Sequence, residues 1–319
     1  MEIIKKQKIL EIVKEIDLVP IIEDGFISYS NGDCVIPQIG ELNFNNPPGD
    51  VHIKYGYIIG DLYYVIKIAS GFFENDKYGI PNGQGMMLVF NQKTGEPVAL
   101  LLDDAVLTDI RTAVAGQICA NKLSNKITNV GIIGTGLQAR LQIKYLNKTN
   151  NFSNIYVWGR NQTKMEKYKF DMENYGFSVT TCTSASEVLK NCNIIITTTA
   201  SSNPYISIND ILPGTHITAV GSDTPLKREL GEGVIKTADV IVADSIIQCQ
   251  DRGEISHALK EKQILDKDII ELGNILSNKN IGRSSEEQIT IADLTGVAVQ
   301  DMKIAEAVFQ NYLEKKNEI

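Results

Sequence analysis

A glycine-rich turn carries the clearest chemical signal in the sequence. The run Val-Gly-Ile-Ile at residues 130–133 is too short for a helix and is typical of a buried parallel strand. Gly134, Gly136 and Ala139 follow it with the G-x-G-x-x-A spacing of dinucleotide-binding turns. There, the first glycine permits the bend, the second lets a pyrophosphate approach the backbone, and the alanine keeps the next helix near the sheet. We therefore expect phosphates at the N-terminus of a helix that begins at Leu137; an ordinary glycine turn is the alternative.

The end of the second strand bears on which dinucleotide binds. NAD-selective sites place an acidic residue there, about 20 residues past the turn, to bind the ribose 2′-hydroxyl. Here Gly159 and Arg160 stand at that point, and the first acid beyond is Glu166, inside the next predicted helix. A guanidinium suits a 2′-phosphate, so we expect NADP(H) to be favoured, with NAD(H) as the alternative if Arg160 stacks on adenine or lies in solvent. The predicted cofactor contacts are Gly134, Thr135, Gly136, Leu137, Gln138, Ala139, Arg160, Asn161, Thr198, Val220 and Gly221.

Two hydrophobic patterns divide the chain. Residues 3–18 have the spacing of an amphipathic helix, and residues 25–105 alternate between turn residues, which predicts antiparallel strands joined by hairpins. From residue 130, strands alternate with helices as in a doubly wound sheet. Six further strands are predicted at 155–158, 177–181, 193–198, 216–220, 239–243 and 288–292, and helices at 108–123, 137–146, 162–175, 186–190 and 297–313. We therefore predict an α/β protein with a Rossmann doubly wound parallel sheet at 123–296, and a mixed α+β domain formed by 1–122 and 297–319.

Composition excludes several functional classes. The 319 residues have a net charge of −8, which is unfavourable for binding nucleic acid. No apolar run is long enough to cross a bilayer, so we expect no membrane partner. The five cysteines are scattered without a C-x-x-C pair, which is typical of free thiols in a cytoplasmic protein. The three histidines are not spaced like metal ligands, so we expect no metal.

Several motifs in order resemble the ornithine cyclodeaminase/mu-crystallin family. They are Lys67 in V-I-K-I, T-D-I-R-T-A at 108–113, the glycine turn, A-V-G-S-D at 219–223, K-R-E-L at 227–230, G-E-I at 253–255, G-R at 282–283 and D-L-T-G-V-A at 293–298. The resemblance implies a homodimer whose mixed domain carries the substrate and dimer contacts. It also implies hydride transfer between a nicotinamide and the α-carbon of a small amino acid or its imine.

The resemblance assigns roles to three charged residues. Arg111 would bind the α-carboxylate as a bidentate partner, Lys67 would be a second substrate cation at the catalytic centre, and Asp223 would carry the proton at the α-nitrogen. Each residue also has an alternative. Arg111 could form a surface ion pair with Asp109 or Asp104, Lys67 could protect an edge strand, and Asp223 could cap a helix or begin a turn.

The chain departs from the family pattern early in the sequence. Family members usually have an arginine soon after a proline in this region, whereas residues 35–42 read Val-Ile-Pro-Gln-Ile-Gly-Glu-Leu. Gln38 lies nearest to that position, and Lys54 could supply the missing cation. We therefore include Gln38 and Lys54 among the substrate-binding residues and expect a substrate pocket different from that of a strict ornithine cyclodeaminase.

Three functions are compatible with these residues. The leading prediction is an NAD(P)-dependent oxidoreductase on the C–N bond of small amino or imino acids, such as a ketimine or Δ1-pyrroline-2-carboxylate reductase or an amino-acid dehydrogenase. The second is a cyclodeaminase, a lyase with tightly held NAD and no net redox change. The third is a non-catalytic small-molecule binding protein, against which Lys67, Arg111 and Asp223 argue.

Overall fold

The computed structural model describes residues 1–72, 74–278 and 281–317. Its internal contacts divide the chain into two compact units. The first contains Met1–Arg111 and Val297–Ile319, and the second contains Thr112–Gly296.

The first unit is built on a mixed sheet. Its strands are β1 (Glu2–Lys5), β2 (Cys34–Val35), β3 (Gly40–Asn45), β4 (Pro48–Ile58), β5 (Tyr63–Phe72), β6 (Gly83–Asn91) and β7 (Pro97–Leu102). The order is β1-β7-β6-β5-β4-β2, with β3 also paired to β4. β1 runs parallel to β7, and the other pairs are antiparallel. The hairpins β4–β5, β5–β6 and β6–β7 therefore form the centre of this sheet, as the alternating pattern predicted.

The N-terminal helix prediction was wrong in two places. Residues 2–5 are a strand, because they pair in parallel with residues 99–102 far along the chain; helix α1 is only Lys6–Val13. A second helix, α2 (Leu18–Ser30), occupies a region whose later part was predicted to form strands. The Asp17 carboxylate accepts a hydrogen bond from the Val19 N–H at 3.2 Å and caps this helix. Pro20 lies in its first turn, where a proline is tolerated.

The second unit is a doubly wound parallel sheet. Helix α3 (Val106–Leu123) leads into it from the first unit. The strands of the second unit are β8 (Asn129–Ile133), β9 (Asn154–Trp158), β10 (Ser178–Thr181), β11 (Ile194–Thr197), β12 (His216–Ala219), β13 (Val240–Ala243), β14 (Ile269–Glu271) and β15 (Thr290–Asp293). The helices are α4 (Leu137–Thr149), α5 (Gln162–Glu173), α6 (Ala185–Asn191), α7 (Ile246–Asp251), α8 (Gly253–Lys260) and α9 (Leu272–Ser277). Short 3-10 turns lie at Asn75–Tyr78 in the first unit and at Ile208–Asp210, Ile235–Thr237 and Asp266–Asp268 in the second.

The strand order creates a ligand-binding edge. The order is β10-β9-β8-β11-β12-β15-β13-β14, and all pairs are parallel. From β8 the chain first adds strands on one side of the sheet (β9, β10) and then, from β11, on the other side. Ligands of such sheets bind beyond the carboxyl ends of the strands at this switch point, between β8 and β11. The predicted α/β fold class is confirmed, but the three-residue strand β14 was missed.

Burial explains why the strands of the second unit read as continuous apolar runs. Every residue of β11, β12, β13 and β15 is buried, as expected for a sheet covered on both faces. His216, at the start of β12, is one of the buried polar residues in these strands. Its ring nitrogens lie 2.8 Å from Thr290 Oγ1 and 2.9 Å from Thr218 Oγ1, and burial beside Arg283 lowers its pKa to about 3. His216 is therefore a neutral, hydrogen-bonded core residue.

The C-terminal helix α10 (Ala298–Asn317) belongs to the first unit, where it packs against α2, β4, β5 and β6. Lys303 Nζ lies 2.8 Å from Asp24 and 3.1 Å from Asp61, which fastens α10 to α2 and to the β4–β5 turn. Within the described part of the chain, none of the helices has both the length and the apolar character needed to span a membrane.

Candidate active site

A buried charged cluster lies on the helical side of the first unit's sheet. Lys67 is 2% exposed and Arg111 is 4% exposed. Both bind the carboxylate of Asp301, which is itself 1% exposed. Lys67 Nζ lies 3.1 Å from Oδ2, and Arg111 Nε donates to Oδ1 at 2.9 Å. The carboxylate thus bridges the two cations that were predicted to bind substrate.

Three elements position this cluster. Lys67 is on the central strand β5, opposite Lys54 on β4 and in register with it. Arg111 is in the second turn of α3, and Asp301 is in the first turn of α10. Gln300 assists by accepting a 3.3 Å hydrogen bond from Arg111 Nη1. Since Arg111 is buried and β5 is not an edge strand, the surface-pair and edge-protection alternatives are wrong.

A second buried acid, Asp103, lies at the start of α3. Its Oδ2 accepts a hydrogen bond from the Leu107 N–H at 2.9 Å, whereas Oδ1 has no hydrogen-bond partner among the described residues. The next two residues are in the left-handed region, with φ of 51° at Asp104 and 64° at Ala105. Such backbone strain in non-glycine residues is concentrated at functional sites, and here it lies between β7 and the helix that carries Arg111.

The electrostatics of the cluster favour an anionic ligand. Burial lowers the pKa of Lys67, and the adjacent Asp301 carboxylate opposes that shift. Burial alone would raise the pKa of Asp301, but Arg111, Lys67 and Lys54 together hold it below its usual range. Three cations, Lys54, Lys67 and Arg111, act on the carboxylate of Asp301, while burial raises the pKa of Asp103, so the cluster carries positive charge that a ligand carboxylate would offset.

Gln38 is not part of this cluster. It lies between β2 and β3 and is exposed, and within the described ranges no hydrogen bond or ion pair joins it to Lys54, Lys67 or Arg111.

In the second unit, glycine is suited to positions 134 and 136 of the turn for different reasons. Gly134 has φ of 121°, and a Cβ there would lie 2.4 Å from Thr198 Oγ1, so its own neighbours require glycine. A Cβ on Gly136 would meet no atom within 4 Å. Gly136 also precedes α4, whose N-terminus no side chain caps in the described residues. An open approach to uncapped N–H groups fits a pyrophosphate.

Arg140, which the sequence reasoning missed, braces this turn. Its Nη1 donates to the carbonyls of Thr135 and Gly136 at 2.6 and 2.9 Å, and its Nη2 lies 2.7 Å from Asp171. The Arg140 guanidinium binds the carbonyl groups of the turn and fixes its backbone, and the N–H groups of the turn are left for a ligand. The signal for Arg140 was its place directly after Ala139 in the motif.

The remaining predicted cofactor residues follow three strands at the same carboxyl edge. Arg160, after β9, is exposed and has no ion pair or hydrogen bond among the described residues. Asn161 caps α5 by accepting a 2.9 Å bond from the Lys164 N–H. Thr198 donates from its N–H to Ile133 at 2.8 Å, which links the ends of β8 and β11. Val220 and Gly221 follow β12 and bond to the Thr197 carbonyl at 3.0 and 3.2 Å. The second unit thus gathers these loops around one edge.

Asp223 lies two residues beyond Gly221. Its side chain is 41% exposed and pairs with Lys227 Nζ at 2.5 Å. No helix begins at residues 224–226, so the helix-cap alternative is wrong. The described residues contain no group of three or more histidine, cysteine, aspartate or glutamate side chains that could hold a metal ion.

Comparisons with known proteins agree with this geometry. The model of the ornithine cyclodeaminase/mu-crystallin family matches residues 2–316. An uncharacterized cyclodeaminase of Sinorhizobium fredii is 37% identical over 99% of this chain and 97% of its own length. The Δ1-pyrroline-2-carboxylate reductase of Thermococcus litoralis, solved with NADH and L-proline, matches with a TM-score of 0.91 and 26% identity over 99% and 98% of the two chains. An archaeal alanine dehydrogenase dimer with bound NAD has a TM-score of 0.88 and 29% identity over 99% and 97%. The predicted family is confirmed.

The Asp301 bridge predicts a large effect on stability. Asp301→Asn leaves Lys67 and Arg111 buried without their counter-charge, and we expect a loss of about 3–5 kcal/mol in the free energy of unfolding. Chemical denaturation measures it. Glu74→Gln is the control, because it removes the exposed Glu74–Lys77 pair and should cost much less. Equal losses in the two variants would contradict the bridging role.

Proposed function

We propose that this chain, which belongs to the ornithine cyclodeaminase/mu-crystallin family, is an NAD(P)-dependent oxidoreductase acting on the C–N bond of small amino and imino acids. The observation that carries the proposal is the buried cluster of Lys54, Lys67 and Arg111, whose excess positive charge suits an α-carboxylate. The reductase and dehydrogenase names of the two similar solved structures support it.

In this proposal the chain's residues divide the work. Arg111 and Lys67 bind the α-carboxylate and thereby orient the α-carbon, and Lys54 adds a third positive charge. Asp223 exchanges a proton with the α-nitrogen, and Lys227 holds its carboxylate in place. A nicotinamide held by the glycine turn of the second unit would supply the hydride for the α-carbon of an imine, or accept one from an amine. Reduction of an imine thus consumes one hydride and one proton.

A cyclodeaminase is the second candidate, favoured by the name of the 37% identical relative. Such an enzyme returns the hydride to its own product, so ammonia is released without net change in the nicotinamide. The three cations Lys54, Lys67 and Arg111 oppose a substrate with a side-chain ammonium beside them, which places this candidate second.

The test combines a substrate panel with one variant. Keto acids with ammonia, cyclic imines and diamino acids are assayed by nicotinamide absorbance and by ammonia release. We expect net oxidation of NAD(P)H with a keto acid or imine, and a loss of at least about 100-fold in kcat for Asp223→Asn, because an amide cannot carry the proton. Ammonia release without net redox would favour the cyclodeaminase, and a wild-type rate in Asp223→Asn would remove Asp223 from the mechanism.

We further propose that NADP(H) is the favoured nucleotide. Arg160 follows β9, where an NAD-selective site has an acid, and its guanidinium is exposed and unpaired within the described residues. Gly159 beside it is buried, and a Cβ there would lie 3.0 Å from Thr135 Cγ2, so this glycine lets the end of β9 pack closely against the glycine turn. The solved relatives named above contain NADH and NAD, so the proposed preference rests on the residues of this chain and not on those relatives.

Arg160→Ala tests the preference. The ratio of kcat/KM for NADPH over NADH should exceed one in the wild type. It should fall about tenfold or more in the variant, because a charge-assisted bidentate contact to the phosphate is lost. Lys169→Ala, which removes an exposed cation from the same region of the second unit, is the control. A wild-type ratio below one, or a ratio that Arg160→Ala leaves unchanged, would contradict the assignment.

We also propose a homodimer formed through the first unit's sheet. Its helices lie on the Lys67 face, and the opposite face carries the apolar row Tyr55–Ile66–Leu88–Leu100 across four paired strands. Tyr55 is 38% exposed and Met86, in the next row, is 37% exposed. A broad apolar sheet face of this kind is typical of a permanent interface. The alanine dehydrogenase relative is a dimer.

Tyr55→Glu tests the interface. A charge at the exposed β4 end of the apolar row should convert the dimer to a monomer, as measured by light scattering at micromolar concentration, without loss of the circular dichroism of the fold. Phe170→Glu, at a side chain 66% exposed on α5, should remain dimeric. A monomeric wild type, or a dimeric Tyr55→Glu, would place the interface elsewhere or exclude it.

A further inference from the structure

A buried carboxylate in the second unit has no role in the chemistry described so far. Glu229 is fully buried. It accepts four hydrogen bonds, from Thr197 Oγ1 at 2.6 Å, from the Thr199 N–H and Oγ1 at 2.6 and 2.7 Å, and from the Gly221 N–H at 3.0 Å. Two donors converge on each carboxylate oxygen. A carboxylate that receives four donors holds them best when it is ionised.

These donors belong to the loops predicted to hold the nucleotide. Thr197 ends β11 and Thr199 follows it, while Gly221 comes after β12. The packing is close, because a Cβ on Gly221 would lie 2.3 Å from the Thr199 carbonyl oxygen and 2.6 Å from Glu229 Oε2. Glu229 is therefore the side chain that locks the ends of two neighbouring strands to each other.

Glu229 also closes the loop that carries Asp223. The loop leaves the sheet at Gly221 and returns at Glu229, and the Gly221 N–H to Glu229 bond joins its two ends. Within it, Ser222 Oγ donates to the Lys227 carbonyl at 2.6 Å, and Lys227 Nζ binds Asp223. A change at Glu229 must therefore move both the nucleotide loops and Asp223.

We propose that Glu229 is a positioning residue whose ionised carboxylate clasps the Asp223 loop to the ends of β11 and β12, and so sets nucleotide affinity. The proposal rests on the proposed function, because it assigns these loops to a nicotinamide nucleotide. Glu229 touches neither nucleotide nor substrate in this role; it acts through Thr199, Gly221 and the loop that follows.

The surroundings of Glu229 make the clasp sensitive to pH. Burial raises the pKa of Glu229 to about 7, although its four hydrogen bonds oppose that shift. Glu254 faces it, accepting the Glu229 and Leu230 N–H groups at 2.6 and 3.1 Å, and burial and then Glu229 raise the pKa of Glu254 to about 8. Asp293 lies beyond Glu254, and the nearby guanidinium of Arg228 is held by Glu261.

Binding and stability should respond to this titration in opposite directions. As pH falls through about 7, Glu229 gains a proton, one oxygen stops accepting, and the clasp loosens, so nucleotide affinity falls. Stability has the other sign. Because the folded pKa lies above the usual value of 4.5, the contribution of Glu229 to folding is complete below 4.5 and is lost as pH rises through about 7.

The experiment measures nucleotide affinity from pH 6 to 8 in the full chain. Trp158, the single tryptophan, ends β9 beside the predicted nucleotide site, and its fluorescence reports titration with NADPH or NADH. We expect the wild-type Kd to rise about tenfold from pH 8 to pH 6, the effect of one hydrogen bond to a charged group. Glu229→Gln should bind weakly and without this pH dependence, because its amide donates where an acceptor is needed. Glu261→Gln, which removes a partly exposed neighbouring carboxylate, and Glu254→Gln should both keep a pH transition.

Thr199→Val provides a second variant that does not depend on the folding of Glu229→Gln. It deletes one donor to the ionised form at nearly constant volume, so the midpoint of the affinity change should move to higher pH. An unmoved midpoint in Thr199→Val, or a wild-type affinity and pH profile in folded Glu229→Gln, would overturn this inference alone. A wild type that binds neither nucleotide would overturn the proposed function and this inference with it.

Discussion

The bridge from Asp301 to Lys67 and Arg111 is the interaction on which the first unit depends. Its three side chains come from a central strand, the start of α3 and the start of α10, and all three are almost completely buried. Burying any one of them alone would cost several kcal/mol, whereas together they compensate one another. The cost of desolvation is tolerated because Asp301 compensates both cations and holds them in fixed positions.

The second unit handles buried charge differently. Its deeply buried acids Glu229, Glu254, Asp244 and Asp293 are bonded mainly to backbone N–H groups and hydroxyls. Each acid joins segments that follow different strands, so the loops at the carboxyl edge of the sheet are connected by side chains where no strand pairing is left. With the loops joined in this way, the uncapped N-terminus of α4 and the open space at Gly136 remain accessible to a ligand.

The parts of this molecule that depend on local patterns were predictable from sequence, and those that depend on distant pairing were not. Seven of the eight parallel strands after residue 128 were predicted from their apolar runs, and the glycine turn was predicted from its spacing, whereas the short helices α7, α8 and α9 were missed. By contrast, Glu2–Lys5 becomes a strand only through its pairing with β7, and Leu18–Ser30 is helical despite containing a proline and a glycine. Lys67 and Arg111 were found through family motifs, but Asp301 was not, since it lies 190 residues from Arg111 and nothing in its local sequence marks it as their partner. The sequence analysis included Glu229 only as part of the K-R-E-L motif and gave it no role, because its four hydrogen-bond donors come from other loops.

The split of the first unit across the chain has a consequence for biosynthesis. The second unit is continuous, from Thr112 to Gly296, so all of its strands are available before α10 is made. Lys67 and Arg111 leave the ribosome long before Asp301 exists, and until then an apolar interior around them would contain uncompensated charge. The second unit can therefore fold during translation, while the first must wait for its last helix. A nascent chain interrupted before residue 298 would present a folded half joined to an open sheet, where Lys67 and Arg111 lack the carboxylate of Asp301, a form that chaperones and proteases can distinguish from the finished protein.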